Sequence, residues 1–224
     1  MNKREGTGSD NRRLVLWGSL IAILIAIAYA ERIFAGKPSP NVLYQWSTAV
    51  GGLIQDAILL AIVVWIARGD RGGLGLRRPV SIQRAAKLAV GALVAIYIFE
   101  IAYSGIFHPG NEQGLTPSHW QPHHAAAYIV NGIVICTWIP FVEEVTYRGL
   151  GYSVLERFGR WPAIIGVGLL FGLSHGLVTS LPVIVAFGCA LAWIRSETGS
   201  VFPGMLLHAS FNLIALVAAV TVTH

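Results

Sequence analysis

The sequence contains few charged residues. Only 12% of its 224 residues are Asp, Glu, Lys or Arg, against about 25% in a typical soluble domain. Hydrophobic residues make up 54% of the chain, and this balance is typical of a polytopic membrane protein rather than a soluble one. The net charge of +5 does not indicate a nucleic-acid partner, because the basic residues lie in loops between apolar runs and not on one face.

Cysteine is also scarce. Cys136 and Cys189 both lie within apolar segments, where free thiols act as small hydrophobic side chains. Nothing in the sequence therefore indicates a disulfide framework. It also lacks a repeat of fixed period and a low-complexity linker, so we predict a single membrane domain over residues 1–224.

Seven apolar stretches approach the roughly 20 residues that a membrane-spanning helix needs. We therefore expect an all-α fold, a polytopic transmembrane helical bundle of about seven membrane helices, with eight as the alternative. The fifth and sixth stretches are short and rich in Gly, Ala and Ser, which indicates either helices shielded from lipid or an incomplete crossing. The stretches are Leu14–Phe34, Leu43–Ala67, Ala86–Phe107, Ala125–Val142 and onward, Trp161–Gly176, Pro182–Ile194 and Pro203–Val222.

The basic residues between these stretches predict the orientation of the bundle. The third loop, residues 107–124, and the fifth loop contain no Lys or Arg, and the first loop is the exception with Arg32 and Lys37. The positive-inside rule then places the N-terminus in the cytoplasm and the C-terminus outside, in what we expect to be a bacterial inner (plasma) membrane. The tail and the second, fourth and sixth loops carry Lys3, Arg4, Arg12, Arg13, Arg68, Arg71, Arg77, Arg78, Arg84, Lys87, Arg157, Arg160 and Arg195.

The first apolar stretch has two interpretations. A basic tail, an apolar run and Ala28-Tyr29-Ala30 match a cleavable signal peptide. Because six further stretches follow, we predict an uncleaved signal anchor instead.

A cluster of ionisable residues interrupts the fourth apolar stretch, in the run Phe-Val-Glu143-Glu144-Val-Thr-Tyr-Arg148-Gly. Ionisable side chains at this depth are costly, so they are candidates for function. On a helix Glu144 and Arg148 share a face and can form an ion pair, since they are four residues apart. Glu143 points elsewhere and is left free for chemistry as a general base. The alternative is that both glutamates only hold helices together.

A second polar site lies on the fifth stretch. Gly159 and Pro162 predict a tight turn between two helices, and Glu143 and His175 each lie 16 residues from Gly159. In an antiparallel helical hairpin these two side chains stand at the same height. A stripe of small residues permits close helix approach, while the alternative for His175 is a simple packing residue. The stripe consists of Gly168, Gly172 and Gly176.

A third site lies on the last stretch, where His208 and Asn212 project from one helix face. An imidazole and a carboxamide together can polarise a carbonyl group and hold an oxyanion. The alternative is an interhelical hydrogen-bonding pair, worth about 0.6 kcal/mol in a membrane.

Other polar residues are weaker candidates. Asp56 and Glu100 lie in the second and third stretches, and we expect them to pair with each other or to line a cavity. His119 and His123 in the third loop have a metal-binding spacing if the segment is helical. The neighbouring prolines predict an irregular loop instead.

With these residues the chain resembles the CPBP family, the CAAX proteases and bacteriocin-processing enzymes also called Abi intramembrane proteases. The resemblance covers residues 135–215, the predicted catalytic core. It consists of a glutamate-glutamate-x-x-x-arginine motif, a phenylalanine-x-x-x-histidine motif and a histidine-x-x-x-asparagine motif on successive apolar segments. The motif residues are Glu143, Glu144 and Arg148, then Phe171 and His175, then His208 and Asn212.

The resemblance implies a glutamate-type intramembrane endopeptidase. Glu143 would activate water with help from His175, and His208 and Asn212 would hold the oxyanion. Glu144, Arg148 and Phe171 would support the site. The expected substrate is a membrane-embedded or membrane-anchored protein or peptide in the lipid bilayer, with prenylated-protein processing and bacteriocin-type processing both left open.

We expect no metal and no cofactor, with zinc held by Glu143, His175 and His208 as the alternative, because two His and one Glu match a hydrolytic zinc set. The metal-free hypothesis rests on the lack of a carboxylate other than Glu144 to orient two zinc-bound imidazoles.

We also expect cytoplasmic access to a polar cavity. Two functions of other classes stay open at this point. One is a non-catalytic scaffold or bacteriocin immunity protein that retains the fold. The other is a proton-coupled transporter, against which stands the lack of internal pseudo-symmetry.

Overall fold

The computed structural model describes residues 3–36, 38–68 and 71–221, so Lys37 of the first loop lies outside the described residues. These ranges contain seven long helices and no strand, which confirms the predicted all-α bundle; an eighth membrane helix is not present in them. Six of the seven are long and apolar enough to cross a membrane, and the fifth, with 14 residues, is shorter. The helices are α1 Lys3–Phe34, α2 Trp46–Ile66, α3 Ile82–Phe107, α4 Pro122–Phe158, α5 Arg160–Leu173, α6 Leu181–Thr198 and α7 Phe202–Thr221.

The outer surface of the bundle is apolar. Large hydrophobic side chains on α2, α3 and α7 are more than half exposed, a pattern that would expose a large apolar patch on a soluble protein. In a bilayer the same side chains face the acyl chains, so the chain is an integral membrane protein. Examples are Ile54, Ile58, Val94, Ile98 and Leu213.

Helix α4 departs from regular α-helical geometry at two places. Its α-helical segments Ala125–Ile133 and Ile139–Glu143 are each followed by a π-helical segment, Val134–Trp138 and Glu144–Gly151. π-helical turns are rare in proteins, and those that occur are often found at functional sites. The second of these segments begins directly after Glu143, so the adjacent glutamates lie where the helix changes its winding.

Close packing of α5 on α6 depends on two glycines. A Cβ atom on Gly168 would lie 2.7 Å from the backbone nitrogen of Cys189, and one on Gly172 would lie 2.5 Å from Val185 Cγ2. Real Cβ atoms do not approach other atoms so closely, so the predicted small-residue stripe is confirmed at these positions. Gly176 packs elsewhere, against the backbone oxygen of Ala28 in α1.

Helix α5 ends at Leu173, earlier than the predicted stretch Trp161–Gly176. The N–H of His175 donates to the carbonyl of Gly172, and Gly176 has a left-handed φ of 63°. Such a residue closes a helix by satisfying its last carbonyls. His175 therefore lies in the turn after α5 and not within the helix. The turn predicted between α4 and α5 at Gly159 is confirmed, with φ 108°.

Helix α1 is tied into the bundle along its length. The Trp17 side chain is buried, and its indole N–H donates to the carbonyl of Thr146 at 3.0 Å. The hydroxyl of Tyr29 donates to the carbonyl of Leu177 at 3.0 Å. Cleavage after Ala30 would remove both contacts from the rest of the chain. These contacts support the uncleaved anchor, which stays a prediction.

Candidate active site

The site is built around a buried ion pair within α4. Arg148 Nη1 donates to Glu144 Oε1 at 2.9 Å, and neither side chain is exposed. Arg148 Nη2 donates to the carbonyl of Gly188 at 3.1 Å, and its guanidinium lies 4.1 Å above the ring of Phe171. The i, i+4 pairing predicted from the sequence is therefore present. Because the pair neutralises Glu144, the adjacent carboxylate of Glu143 is left without an ion partner among the described residues of α4.

His208 lies between the two glutamates. Its Nδ1 is 3.2 Å from Glu144 Oε1, and its Nε2 is 3.6 Å from Glu143 Oε2. A carboxylate only accepts hydrogen bonds, so Nδ1 carries the hydrogen. The edge-to-face ring of Phe187, 5.1 Å away, holds the imidazole from the side. Nε2 is thereby directed toward Glu143.

His175 is oriented in the same sense by a backbone group. Its Nδ1 lies 2.7 Å from the carbonyl oxygen of Phe171, which can only accept, so Nδ1 carries the hydrogen here too. Its Nε2 faces Glu143 Oε1 at 3.9 Å. The Ser174 hydroxyl donates to the same Phe171 carbonyl and accepts from Tyr147 at 2.6 Å.

Glu143 thus has one imidazole Nε2 near each of its oxygens. Its side chain is 19% exposed and lines a cavity between the helices. The 3.9 Å between Glu143 Oε1 and His175 Nε2 exceeds a direct hydrogen bond. It matches a water molecule placed about 2.8 Å from both atoms. The structure therefore brings the first and second predicted sites to a distance at which they can share one water molecule.

Asn212 completes the group from α7. Its side-chain Nδ2 donates to the carbonyl of Ile135 at 2.8 Å, within the first π-helical segment of α4. A carboxamide nitrogen has two hydrogens, so one of them remains for another acceptor.

These four side chains line one cavity of about 690 Å³. Its walls are mostly apolar, which is usual for a binding pocket with a few converging polar groups. Glu100 lines the same cavity, which is one of the two alternatives predicted for it. Asp56 is buried but does not belong to the cavity lining. The apolar wall includes Val134, Ile139, Val183, Ile184, Phe187 and Phe211.

Three residues of this site were not identified from the sequence. Ser174 donates to the Phe171 carbonyl that orients His175, Tyr147 donates to the Ser174 hydroxyl, and Phe187 packs on His208. Tyr147 follows the two glutamates closely, and Ser174 directly precedes His175. These short distances in sequence were the only signal available. No sequence signal identifies Phe187, because aromatic residues are common in apolar helices.

The donor set was also compared with the requirements of a metal ion. Among the described residues no group of three or more His, Cys, Asp or Glu side chains is arranged to hold one. This covers Glu143, His175 and His208. His119 lies in the third loop, whereas His123 lies in the first, 3₁₀-helical turn of α4, so the two do not share the single helical segment that the metal-binding spacing requires. The sequence argument against zinc counted only carboxylates as orienting groups, whereas the Phe171 carbonyl also orients an imidazole.

The rim of the cavity contains one further carboxylate, Glu112 in the third loop. Its Oε1 accepts from Arg32 Nη2 at 2.6 Å, and its Oε2 accepts from the N–H of Ser180 at 2.7 Å. Burial raises the pKa of Glu112, but hydrogen bonds from Ser180, Thr179 and Val178 outweigh it and lower that pKa to about 2. Arg32, the exception to the loop-charge pattern, is therefore neutralised by this carboxylate.

Residues 125–214 match the family model described as Type II CAAX prenyl endopeptidase Rce1-like. This segment holds all of the predicted motif residues, from Glu143 to Asn212, but not Glu100 or Glu112 of the cavity lining. The match confirms the resemblance to the CAAX protease family and supports a hydrolase of the protease class. Neither the curated proteins nor the solved structures include a match to the chain.

Proposed function

Starting from an Rce1-like CAAX protease domain at residues 125–214, we propose that this protein is a glutamate-type intramembrane endopeptidase. It hydrolyses a peptide bond in a membrane-associated protein or peptide. The observation that carries the proposal is the direction of two imidazoles. Both His175 and His208 have Nδ1 occupied and Nε2 within 3.9 Å of the Glu143 carboxylate, inside a cavity.

The first step is attack by water. A water molecule between Glu143 Oε1 and His175 Nε2 donates one hydrogen to each, which leaves an oxygen lone pair free for the substrate carbonyl carbon. As the new C–O bond forms, the water proton moves to Glu143, a general-base role. The carbonyl becomes a tetrahedral oxyanion.

The oxyanion is stabilised from the other side of the site. The second Nδ2 hydrogen of Asn212 is one donor. His208 is the other donor when its Nε2 carries a hydrogen, because Glu144 holds the ring through Nδ1 and leaves Nε2 facing the site. Donors of this kind contribute most when they are fixed before the reaction, and the Ile135 carbonyl and Glu144 fix these two.

Collapse of the intermediate breaks the C–N bond. The proton held by Glu143 passes to the leaving amine nitrogen, and the electrons of the broken bond stay on that nitrogen. The products are a carboxylic acid and an amine, and Glu143 returns to its carboxylate form. Arg148 keeps Glu144 neutralised throughout, so that the buried site never holds two uncompensated carboxylates.

The test is hydrolysis by purified protein in detergent or liposomes. The substrates are a panel of membrane peptides, with prenylated and unprenylated members that are otherwise identical. We expect cleavage by the wild type and its loss in Glu143→Gln and His175→Ala. Glu100→Gln is the matched control, because it alters a cavity carboxylate outside the proposed machinery and should preserve cleavage.

Two outcomes would contradict the proposal. If Glu143→Gln and His175→Ala cut as well as the parent, the assigned site is wrong. If the protein cuts nothing while Glu143→Gln preserves its biological effect and a packing change at Gly172 abolishes it, the non-catalytic scaffold is the better account. Stoichiometric zinc, lost together with activity under chelation, would replace the metal-free reaction by a zinc one.

A further inference from the structure

The two ends of the bundle differ in charge. At one end the tail meets the second, fourth and sixth loops, and we call this end the basic face. Arg157 Nη1 donates to Asn11 Oδ1 at 2.6 Å, and Arg77 Nε donates to the Gly199 carbonyl at 2.9 Å. At the same end Glu197 accepts from two arginines, Arg84 and Arg160.

At the other end the first, third and fifth loops meet, and we call this end the loop face. Glu112 of the third loop accepts from Arg32 and from Ser180 in the fifth. Tyr44 of the first loop donates to the His119 carbonyl of the third at 3.2 Å. Within the described residues Arg32 is the basic side chain here, and its charge is paired.

The catalytic cavity opens on the loop face. Every loop residue in its lining belongs to the first, third or fifth loop, and none comes from the basic face of the described chain. The position of the site along α6 also places it nearer the loop face than the basic face. Phe187, which contacts His208, lies seven residues from Ser180 at the loop face and eleven from Thr198 at the basic face. At 1.5 Å per residue these are about 10 Å and 16 Å. The loop residues of the lining are Val42, Leu43, Pro109, Gly110, Asn111, Glu112, Gln113, Leu115, Thr116, His175, Leu177 and Ser180.

Two expectations from the sequence therefore exclude each other. Loop charge places the basic face, and with it the N-terminus, in the cytoplasm. Cytoplasmic access would require the loop face to be there. The charge imbalance is large, since most of the 16 Lys and Arg residues lie in the tail and the even-numbered loops. We therefore keep the orientation that loop charge predicts and give up the expectation of cytoplasmic access to the cavity.

We propose that the cavity is open to the non-cytoplasmic side of the membrane, and that its substrates are polypeptide segments presented on that side. This inference rests on the proposed protease function and narrows it. A lipid-anchored protein tail held on the cytoplasmic surface would face the wrong end of the molecule. The substrate class is instead the exported part of a membrane-associated peptide or protein.

Cysteine accessibility tests the inference without relying on catalysis. In a Cys136→Ala, Cys189→Ala background, single cysteines are placed at Ser118 of the loop face, Gln83 of the basic face and Ser104 of the cavity wall, the first two being exposed positions. A membrane-impermeant maleimide is applied to intact bacterial spheroplasts and to inverted vesicles. We expect Ser118→Cys and Ser104→Cys to label in spheroplasts and Gln83→Cys only in inverted vesicles. Labelling of Ser104→Cys only in inverted vesicles, or in neither preparation, overturns the inference.

A catalytic arm separates this inference from the proposed function. A pool of water-soluble fluorogenic peptides that purified protein cleaves is added to the same spheroplasts and vesicles, with Glu143→Ala as control. Cleavage in spheroplasts supports the inference, and cleavage confined to inverted vesicles overturns it while leaving the protease proposal intact. Should the purified protein cleave no peptide, the protease proposal fails and the labelling result still decides which face is open.

Discussion

Replacement of Arg148 by methionine is the perturbation whose size follows most directly from the structure. The guanidinium is completely buried, pairs with Glu144 at 2.9 Å and donates to the Gly188 carbonyl. Arg148→Met keeps a side chain of similar length but leaves Glu144 as a buried carboxylate, with His208 as its remaining hydrogen-bond donor among the described residues. Removing one partner of a buried ion pair costs about 3–5 kcal/mol.

That cost corresponds to roughly two to three and a half orders of magnitude in the unfolding equilibrium constant. It is large against a typical total stability of about 5–15 kcal/mol. The double variant Glu144→Gln, Arg148→Met removes both charges and should recover part of the loss. An exposed pair serves as the matched control. Arg84, which pairs with Glu197, has a side chain 62% exposed, so Arg84→Met should cost about 0–1 kcal/mol.

The assay is reversible unfolding in mixed micelles by increasing fractions of a denaturing detergent, followed by circular dichroism. Equal stability of wild type and Arg148→Met would refute the reasoning. So would a loss in Arg84→Met as large as that in Arg148→Met, since burial would then not set the cost.

Three further predictions concern packing, pH and catalysis. Gly168→Ala should lower the free energy of unfolding by about 1–3 kcal/mol through overpacking against Cys189. Gly91→Ala should be neutral or stabilising, because a Cβ atom there would have no other atom within 4 Å. Equal effects of the two substitutions would contradict the packing account. Glu112 has its pKa lowered from 4.5 to about 2, so its stabilisation of the loop face is present above pH 4.5 and lost as pH falls toward 2. The protease resistance of residues 108–121 should fall over this pH range in wild type and should not change over it in Glu112→Gln. Asn212→Ala should lower kcat by about 10²–10³ with little change in KM, and an unchanged kcat would remove this residue from the oxyanion site.

Helix number and the main polar contacts could be predicted from local rules. Apolar stretches of spanning length predict the seven helices, and the i, i+4 spacing predicts the pair of Glu144 and Arg148. Equal distances from the Gly159 turn bring Glu143 and His175 to one height. These predictions use the geometry of a regular helix or hairpin. The two contacts form at 2.9 Å and 3.9 Å even though Glu144–Gly151 is π-helical and His175 lies just beyond the end of α5, because these irregularities are local.

The remaining features depend on contacts between distant segments. The turn at His175 is closed by Gly176 packing on α1, which no nearby residue indicates. The Phe171 carbonyl orients His175 because the helix ends there. The π-helical segments of α4 have no sequence signature. The side on which the cavity opens depends on where the third loop folds, and Glu112 decides this through contacts with Arg32 and the fifth loop.

The central claim is that the Glu143 carboxylate activates the water that cuts a peptide bond. Its most direct test is peptide hydrolysis by purified Glu143→Gln, which keeps the size of the side chain and removes the base. We predict normal folding and substrate binding with kcat lowered by at least about 10²-fold, the lower end of what general-base catalysis contributes. A folded Glu143→Gln protein that cleaves at the wild-type rate would contradict the account.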